Sequence, residues 1–242
     1  TEIYTLSLHD ALPISQRRAR DSARPAVAQE VAGMSGRAGS VVRGFIAVLG
    51  VAACLSGCGE RVPRVAAVGP NDVIVAFGDS LTYGTGASES ESYPAVLEQL
   101  IGRKVVRAGV PGEVTAQGLA RLPAVIEEYR PALVIVCLGG NDMLRKVDDM
   151  QIRSNLRRII TVLRERSVSI VLVGVPRPAL LTSAAAFYGE LAQEYSIPYE
   201  GKVLNDVMHQ LDLKADLIHP NAKGYRRIAE AIAALLKKAG AV

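Results

Sequence analysis

The chain has 242 residues, of which 49% are hydrophobic, and this is enough to form one domain with a sizeable core. Its formal net charge is only +4 and its basic residues are scattered, which argues against a nucleic-acid-binding protein. Tryptophan is absent and aromatic residues make up 5% of the chain, so a surface for stacking bases is not expected either. The spacings of His, Cys and acidic residues do not resemble a metal site, and we expect no metal and no cofactor.

The N-terminal part contains one short apolar segment. It covers residues 45–53, follows a basic stretch that includes Arg43, and is too short to cross a bilayer, which takes about 20 apolar residues. The next residues, Leu-Ser-Gly-Cys at 55–58, resemble the processing box of bacterial lipoproteins. This resemblance implies a lipid on the thiol of Cys58, with Cys54 as the second candidate. We therefore expect a lipid-anchored protein of the bacterial envelope, on its periplasmic or extracytoplasmic face.

These features divide the chain into four parts. Met34 is the natural start of the signal peptide, which is expected at residues 34–57. The lipidated cysteine and a Gly-, Pro- and Val-rich tether follow at 58–71, and the folded domain covers 72–242. Residues 1–33 resemble translated sequencing-adapter sequence, and we expect them to be a non-native leader without a function.

From residue 72 onward, apolar strand-like runs alternate with amphipathic segments of helix length. Strands are predicted at 73–77, 104–108, 133–138 and 169–174, with a weaker one at 198–199. Helices are predicted at 93–101, 115–129, 150–166, 183–195 and 221–239. Such alternation is typical of an α/β protein with a parallel sheet and helices on both faces. Short connections of fixed handedness then favour a doubly wound, three-layer α/β/α sandwich.

Polar segments follow the first three predicted strands. They are Gly-Asp-Ser at 78–80, Pro-Gly-Glu at 111–113 and Gly-Gly-Asn-Asp at 139–142. Ligands bind at the carboxyl ends of the strands in open parallel sheets. We therefore expect the three segments to surround one crevice.

Ser80 is the candidate nucleophile, and a serine hydroxyl needs an adjacent base to react. The chain has three histidines: His9 lies in the expected leader, and we interpret His209 as a surface or helix-end residue. His219 remains as the candidate base, and Asp216, three residues earlier, can orient its ring. Alternatively, Gly-Asp-Ser is a simple turn that caps a helix.

Acyl transfer also requires donors for the negative charge that develops on the carbonyl oxygen. Gly112 offers a backbone N–H that no side chain obstructs, Asn141 offers a side-chain amide, and Ser80 offers its own N–H at the start of a helix. Turn formation is the alternative role of Gly112 and Asn141, because Pro-Gly and Gly-Asn are turn formers.

Taken in order, these segments resemble the GDSL, or SGNH, hydrolase family, whose second name lists Ser, Gly, Asn and His. The matching residues are Ser80 in Gly-Asp-Ser-Leu, Gly112, Asn141 in Gly-Gly-Asn-Asp, and His219 in Asp-Leu-Ile-His-Pro. The resemblance implies a flavodoxin-like sandwich with a mainly parallel five-stranded sheet. It also implies metal-free hydrolysis of esters or thioesters through an acyl-serine intermediate.

Within the family, the chain is most similar to the bacterial thioesterase, lysophospholipase and arylesterase branch, which shares Gly-Leu-Ala-Arg-Leu-Pro at 118–123. The resemblance implies that the loop after the fourth strand borders the acyl pocket, and Ala179, Leu180 and Leu181 are its candidate substrate-binding residues. This loop is shorter than usual in that branch. Pro111 also stands where the branch usually has serine.

Two other functions remain open for the same fold. One is a carbohydrate or peptidoglycan O-acetylesterase, which suits a protein of the envelope. The other is a non-catalytic flavodoxin-like binding module, in which Gly-Thr-Gly at 84–86 would cradle a phosphate. We expect a monomer that acts on a small acyl or aryl ester or thioester, is held at the membrane by its lipid, and does not bind nucleic acid.

Overall fold

The computed structural model describes residues 61–177 and 183–242, and five parallel strands form the centre of this part of the chain. The strands are β1 (Val73–Gly78), β2 (Lys104–Gly109), β3 (Leu133–Cys137), β4 (Ser169–Val173) and β5 (Tyr199–Glu200). Their order in the sheet is β2-β1-β3-β4-β5, and all neighbouring pairs are parallel. The predicted α/β fold with a parallel five-stranded sheet is confirmed.

Helices cover both faces of this sheet. They are α1 (Ser80–Tyr83), α2 (Tyr93–Ile101), α3 (Thr115–Tyr129), α4 (Gly140–Leu144), α5 (Asp149–Glu165), α6 (Ala186–Tyr195), α7 (Val203–Met208) and α8 (Ala222–Ala239). Helix α2 packs on α8, while α3 packs on α5 and α5 on α6. The long helices lie within three residues of the predicted bounds. The short helices α1, α4 and α7 were not predicted, because four to six residues are too few to show a helical period.

The core lies between the sheet and these helices. Every residue of β3 is buried, and so is every residue of β1 after Val73. Their side chains are almost all Val, Ile, Leu, Ala or Phe, as expected for central strands that are covered on both faces. Cys137, at the end of β3, is buried as well, and burial raises the pKa of its thiol. This environment suits the small core residue that an apolar strand predicts.

The described part of the expected tether lies against the domain. Val65 N–H donates to the carbonyl of Ala239 (3.1 Å), and Val68 N–H donates to that of Ala241 (2.8 Å). Val68 is itself buried in the core. The chain is therefore fixed to the C-terminal end of α8 before β1 begins.

Among residues 61–177 and 183–242, we find no helix that is long and apolar enough to cross a membrane. The expected leader, the signal peptide and both candidate lipidation residues, Cys54 and Cys58, lie outside the described residues.

Gly78, at the end of β1, is closely surrounded by β3 and α1. A Cβ atom at this position would overlap the carbonyl oxygen of Cys137 and Oγ1 of Thr82. Only glycine allows β3 and α1 to pack here without displacement of the backbone.

We predict that Gly78→Ala lowers the free energy of unfolding by about 3 kcal/mol, because backbone atoms of β3 must move to admit the methyl group. Urea unfolding at neutral pH measures this change. Gly189→Ala is the matched control: Gly189 lies within α6, and its nearest neighbour to a new Cβ is 3.7 Å away. The control should be neutral or up to about 1 kcal/mol more stable, since alanine favours a helix. Equal effects of the two substitutions would contradict the prediction.

Candidate active site

The loop after β1 presents Ser80 at the carboxyl edge of the sheet. Asp79 caps α1: its side chain accepts a hydrogen bond from Leu81 N–H (3.1 Å). Strand β1 therefore leads directly into α1, with Ser80 as the first helical residue. The turn and the cap proposed as an alternative role for Gly-Asp-Ser do exist. The turn and the cap position the serine hydroxyl, and they are compatible with a catalytic role for Ser80.

A tight turn before α8 presents His219. Oδ1 of Asp216 accepts hydrogen bonds from the N–H groups of Ile218 and His219, both at 2.8 Å. Its Oδ2 lies 2.8 Å from Nδ1 of His219, and Nε2 of the same ring lies 3.0 Å from Oγ of Ser80. The structure therefore brings together the three residues that the sequence selected, although Ser80 and His219 are 139 positions apart.

The charge of Asp216 fixes which ring nitrogen carries the proton. Burial tends to raise the pKa of this carboxyl, but the hydrogen bonds from the His219 ring and from the Ile218 and His219 N–H groups outweigh it. The pKa of Asp216 therefore lies below its ordinary value. An ionised Asp216 places the proton of a neutral ring on Nδ1, so that Nε2 can accept the hydroxyl proton of Ser80.

The loop after α1 supports this turn. Gly86 has a positive φ of 99°, and a Cβ there would press on Pro220 O and Ala215 Cβ. The hydroxyl of Tyr225, in α8, donates to the carbonyl of Thr85 (2.7 Å). In this structure, Gly-Thr-Gly at 84–86 packs against the histidine turn and is not an open phosphate cradle.

Asn141 lies in α4 and lines the same cleft as Ser80 and His219. Its side-chain amide donates to the carbonyl of Glu113 (3.0 Å), which ties α4 to the loop after β2. Gly112 is in that loop with a positive φ of 78°, and its carbonyl accepts from Arg145 (2.9 Å). Gly112 does not itself line the cleft. The hydrogen bonds of the described residues leave the N–H groups of Gly112 and Ser80 without an acceptor.

A buried polar network holds Asn141 in place. The next residue, Asp142, accepts from the N–H of Thr115 (2.8 Å) and from its hydroxyl (2.6 Å). Asn155, in α5, donates to the same hydroxyl (2.9 Å). All three side chains are buried, so α3, α4 and α5 are joined beneath the site. The sequence contained Asp142 within a motif, but it carried no signal for Thr115 or Asn155.

Glu113 is also buried, and Arg121 compensates its charge. The guanidinium group makes a two-pronged contact with the carboxylate (2.8 and 2.7 Å) and lies 4.3 Å from the ring centre of Phe77. Arg121 belongs to the Gly-Leu-Ala-Arg-Leu-Pro string of the sequence. The loop that carries Gly112 is thus anchored by an ion pair as well as by Asn141.

These residues open into a cleft of about 510 Å³, including its solvent-open mouth. Its walls are mostly apolar and are formed by Leu81, Leu144, Val175, Pro176, Leu204, Met208, Leu217 and Ile218. The predicted substrate-binding residues Ala179, Leu180 and Leu181 lie outside the described residues, although Pro176 just before them lines the cleft. The contribution of α7, through Leu204 and Met208, was not predicted.

His209 does not belong to the site. It stands at the C-terminal end of α7, exposed to solvent, with Nδ1 2.8 Å from the carbonyl of Asn205. His209 follows Asp206 at the same spacing at which His219 follows Asp216, so spacing alone does not separate the two histidines. Only His219 lies beside Ser80.

The part of the chain that the structure describes contains no group of three or more His, Cys, Asp or Glu side chains that could hold a metal ion.

The arrangement agrees with the comparison to known families. Residues 76–227 match the model of the GDSL-like lipase/acylhydrolase family. The chain belongs to this family. The resemblance expected from the motifs is confirmed, and the chain is an enzyme of the GDSL esterase/lipase type.

Relatives of this GDSL-family chain are named for ester and thioester hydrolysis. The "Thioesterase 1/protease 1/lysophospholipase L1" of Escherichia coli is 34% identical over 178 residues, which cover 69% of this chain and 84% of the relative. "Esterase TesA" of Pseudomonas aeruginosa is 30% identical over 196 residues, covering 76% and 96%. Among solved structures, AlinE4, an SGNH-hydrolase family esterase, is 36% identical with a TM-score of 0.56. The match covers 72% of this chain and 98% of AlinE4. AlinE4 therefore has this fold with almost no residues beyond the matched part.

Asp79, beside Ser80, is a buried acid with an unusual charge state. Burial raises its pKa to about 7, the hydrogen bond from Leu81 N–H opposes this, and the nearby acids Glu113 and Asp142 add to the rise. The folded protein therefore holds a proton on Asp79 at pH values where the unfolded chain has lost it. The contribution of Asp79 to the free energy of unfolding consequently falls as pH rises from about 4 to about 7.

We predict that Asp79→Asn removes this loss, because the amide keeps an acceptor for Leu81 N–H and does not ionise. The stability of the variant relative to the parent should rise between pH 5 and pH 8 by an amount on the order of 2 kcal/mol. Urea unfolding of both proteins at the two pH values measures it. Parallel pH profiles would show that Asp79 is not protonated in the folded state.

Proposed function

We propose that this chain is a serine esterase that hydrolyses acyl or aryl esters or thioesters through a covalent acyl-Ser80 intermediate. The observation that carries the proposal is the line of contacts from Ser80 Oγ to His219 Nε2 (3.0 Å) and from His219 Nδ1 to Asp216 (2.8 Å). A nucleophile, a base and a group that orients the base are the three parts that this chemistry needs.

The first half of the reaction forms the acyl-enzyme. Oγ of Ser80 attacks the substrate carbonyl while its proton passes to Nε2 of His219. The ionised Asp216 stabilises the resulting imidazolium through Nδ1–H. His219 then returns the proton to the departing alcohol or thiol. In the second half, water gives a proton to Nε2 and attacks the acyl-serine. His219 then returns this proton to Oγ as the acid leaves, which restores the Ser80 hydroxyl and the neutral ring.

The developing oxyanion is proposed to bind three N–H donors. Ser80 N–H stands at the start of α1, and Gly112 N–H stands in the adjacent loop. An asparagine amide has two N–H bonds, so Asn141 can hold the carbonyl of Glu113 with one and offer the other to the oxyanion. The buried contact of Asp142 with Thr115 fixes the helix that carries Asn141.

The walls of the cleft favour an acyl or aryl substrate over an acetylated sugar. Most residues that line it are aliphatic, and the polar ones are Asp79, Ser80, Asn141 and His219. A sugar requires hydrogen-bond partners for its hydroxyls, whereas a hydrocarbon group requires only apolar contact. If acyl esters are not turned over, we expect the protein to be a glycan O-acetylesterase instead.

We also keep the proposal that the protein is anchored at the bacterial envelope by a lipid on Cys58 and acts as a monomer. The support for the lipid anchor is the sequence pattern of residues 34–58, and the monomeric state stays a prediction. Mass spectrometry of the membrane-extracted protein would test it, since a diacylglycerol modification on Cys58 has a defined mass.

Hydrolysis of a p-nitrophenyl ester series, from acetate to dodecanoate, by residues 59–242 tests the esterase. We expect turnover by the parent and a loss of roughly 10³-fold or more in Ser80→Ala, because the nucleophile is removed while the cleft remains. The two proteins should unfold at the same urea concentration within error. If both are folded and neither is active on any ester of the series, the acyl-esterase proposal is wrong.

Removing one oxyanion donor should lower turnover without abolishing binding. We predict that Asn141→Ala lowers kcat by roughly 10²–10³-fold. Thr115→Val should lower kcat by about tenfold, since Asn141 loses part of its support. Thr115→Ser is the matched control and should restore kcat, because it keeps the hydroxyl. Steady-state kinetics on one ester give kcat and KM separately; an unchanged kcat in Asn141→Ala would exclude its role.

A further inference from the structure

The loop that carries Gly112 is a tight turn. Glu113 N–H donates to the carbonyl of Val110 (3.1 Å), and this contact closes a β-turn with Pro111 and Gly112 at its two central positions. Gly112 has a positive φ of 78°. Proline at the first central position and glycine with a positive φ at the second are typical of a type II turn.

The peptide between Pro111 and Gly112 decides where the Gly112 N–H points. Type I and type II turns have similar ends, but they differ in ψ of the first central residue and φ of the second, so the central peptide is turned over. In the described part of the chain, the Gly112 N–H has no acceptor. The conformation of this one turn therefore determines whether a donor is presented to a ligand.

Helix α4 holds the turn at two successive carbonyl groups. Nη2 of Arg145 donates to the carbonyl of Gly112 (2.9 Å), and Nδ2 of Asn141 donates to that of Glu113 (3.0 Å). The Arg145 N–H donates in turn to the carbonyl of Asn141 (3.0 Å), so both side chains leave α4 within one helical turn. Arg145 thus links the two proposed oxyanion donors, the Asn141 amide and the Gly112 N–H.

The other end of the turn is fixed to the loop of the nucleophile. Val110 N–H donates to the carbonyl of Gly78 (3.0 Å), two residues before Ser80. Gly109, at the end of β2, packs so closely here that a Cβ atom would lie 2.7 Å from the carbonyl oxygen of Asp79. The turn therefore bridges the loop of Ser80 and helix α4.

The charge of Arg145 is not used in an ion pair. Among the described residues, no carboxylate lies within ion-pair distance of its guanidinium group. Of the two acids nearest in sequence, Asp142 is buried in the network beneath the site, and Asp148 caps α5 by accepting from Met150 N–H (2.8 Å). A charged donor makes a stronger hydrogen bond than a neutral one, which suits Arg145 to holding a carbonyl at the surface.

We propose that Arg145 and Pro111 are positioning residues that hold the Gly112 N–H toward the place where the oxyanion develops. Arg145 fixes the second half of the turn from α4, and the ring of Pro111 fixes φ at the first central position. Both residues act through Gly112 and not on the reacting atoms. A donor stabilises the transition state most when it is in place before the charge develops. This inference rests on the proposed esterase function, since the oxyanion belongs to acyl transfer.

Steady-state kinetics of the full chain on p-nitrophenyl butyrate test the proposal. Arg145→Met removes the donor and keeps an aliphatic side chain. It should lower kcat about tenfold and change KM by less than about twofold, because the Gly112 N–H acts on the transition state. Pro111→Ala keeps every charge and should lower kcat about threefold, since alanine also admits the type I turn.

Lys146→Met is the matched control. Lys146 is the next residue, is exposed as Arg145 is, and its side chain makes no hydrogen bond or ion pair within the described residues. Its removal costs the same charge at almost the same place. The kcat and KM of this variant should equal those of the parent.

A boronic acid separates loss of positioning from a general loss of structure. Butylboronic acid forms a bond between boron and Oγ of Ser80 while the hydroxyl proton passes to His219, and a boronate oxygen takes the place of the oxyanion. Its inhibition constant should rise in Arg145→Met by about the factor by which kcat/KM falls. The urea midpoint of this variant should equal that of the parent, because the side chain is exposed.

Three results would overturn the proposal. They are an unchanged kcat in Arg145→Met, an equal loss in Lys146→Met, which would indicate an effect of charge alone, and a raised KM with an unchanged kcat, which would indicate contact with the substrate. An active parent with a fully active Arg145→Met rejects this inference alone. A parent as inactive as its Ser80→Ala variant on the whole ester series rejects the acyl-esterase function and this inference together.

Discussion

Parallel packing of the five strands is the constraint on which the rest of the structure depends. Because all strands point the same way, the loops after β1, β2 and β3 leave the sheet at one edge. Ser80 and Asn141 therefore line one cleft, and Asn141 is hydrogen-bonded to Glu113 in the loop that carries Gly112. Helix α8 begins at the same edge, and the turn that precedes it delivers His219 to Ser80.

Buried polar groups tie the loops of the site to each other. Asp79, Glu113 and Asp142 are all buried beneath it, yet Arg121 compensates only Glu113. Asp142 instead receives two hydrogen bonds from Thr115, whereas Asp79 receives one from Leu81 and shifts its pKa to about 7. Burying an acid is costly unless it is paired, hydrogen-bonded or protonated, and the three acids show the three solutions.

One turn links the chemistry to the surface of the molecule. The turn in which Asp216 orients His219 also contains Leu217, which is 83% exposed and lines the mouth of the cleft. Leu217 thereby extends the apolar wall of the cleft to its mouth.

The sequence by itself determined the strands and long helices, because hydrophobic period and capping are local properties. It also identified Ser80, Asn141 and the pair Asp216 and His219, since each stands in a short motif after a strand or before a helix. The sequence also favoured His219 over His209, but the contact with Ser80 that decides between them is tertiary, because both histidines follow an aspartate at the same spacing. The tertiary structure alone assigned Thr115 and Asn155 to the support of Asn141, and α7 to the wall of the cleft. These are contacts between residues far apart in sequence, and they depend on how the helices pack on the sheet, which no local pattern of side chains records.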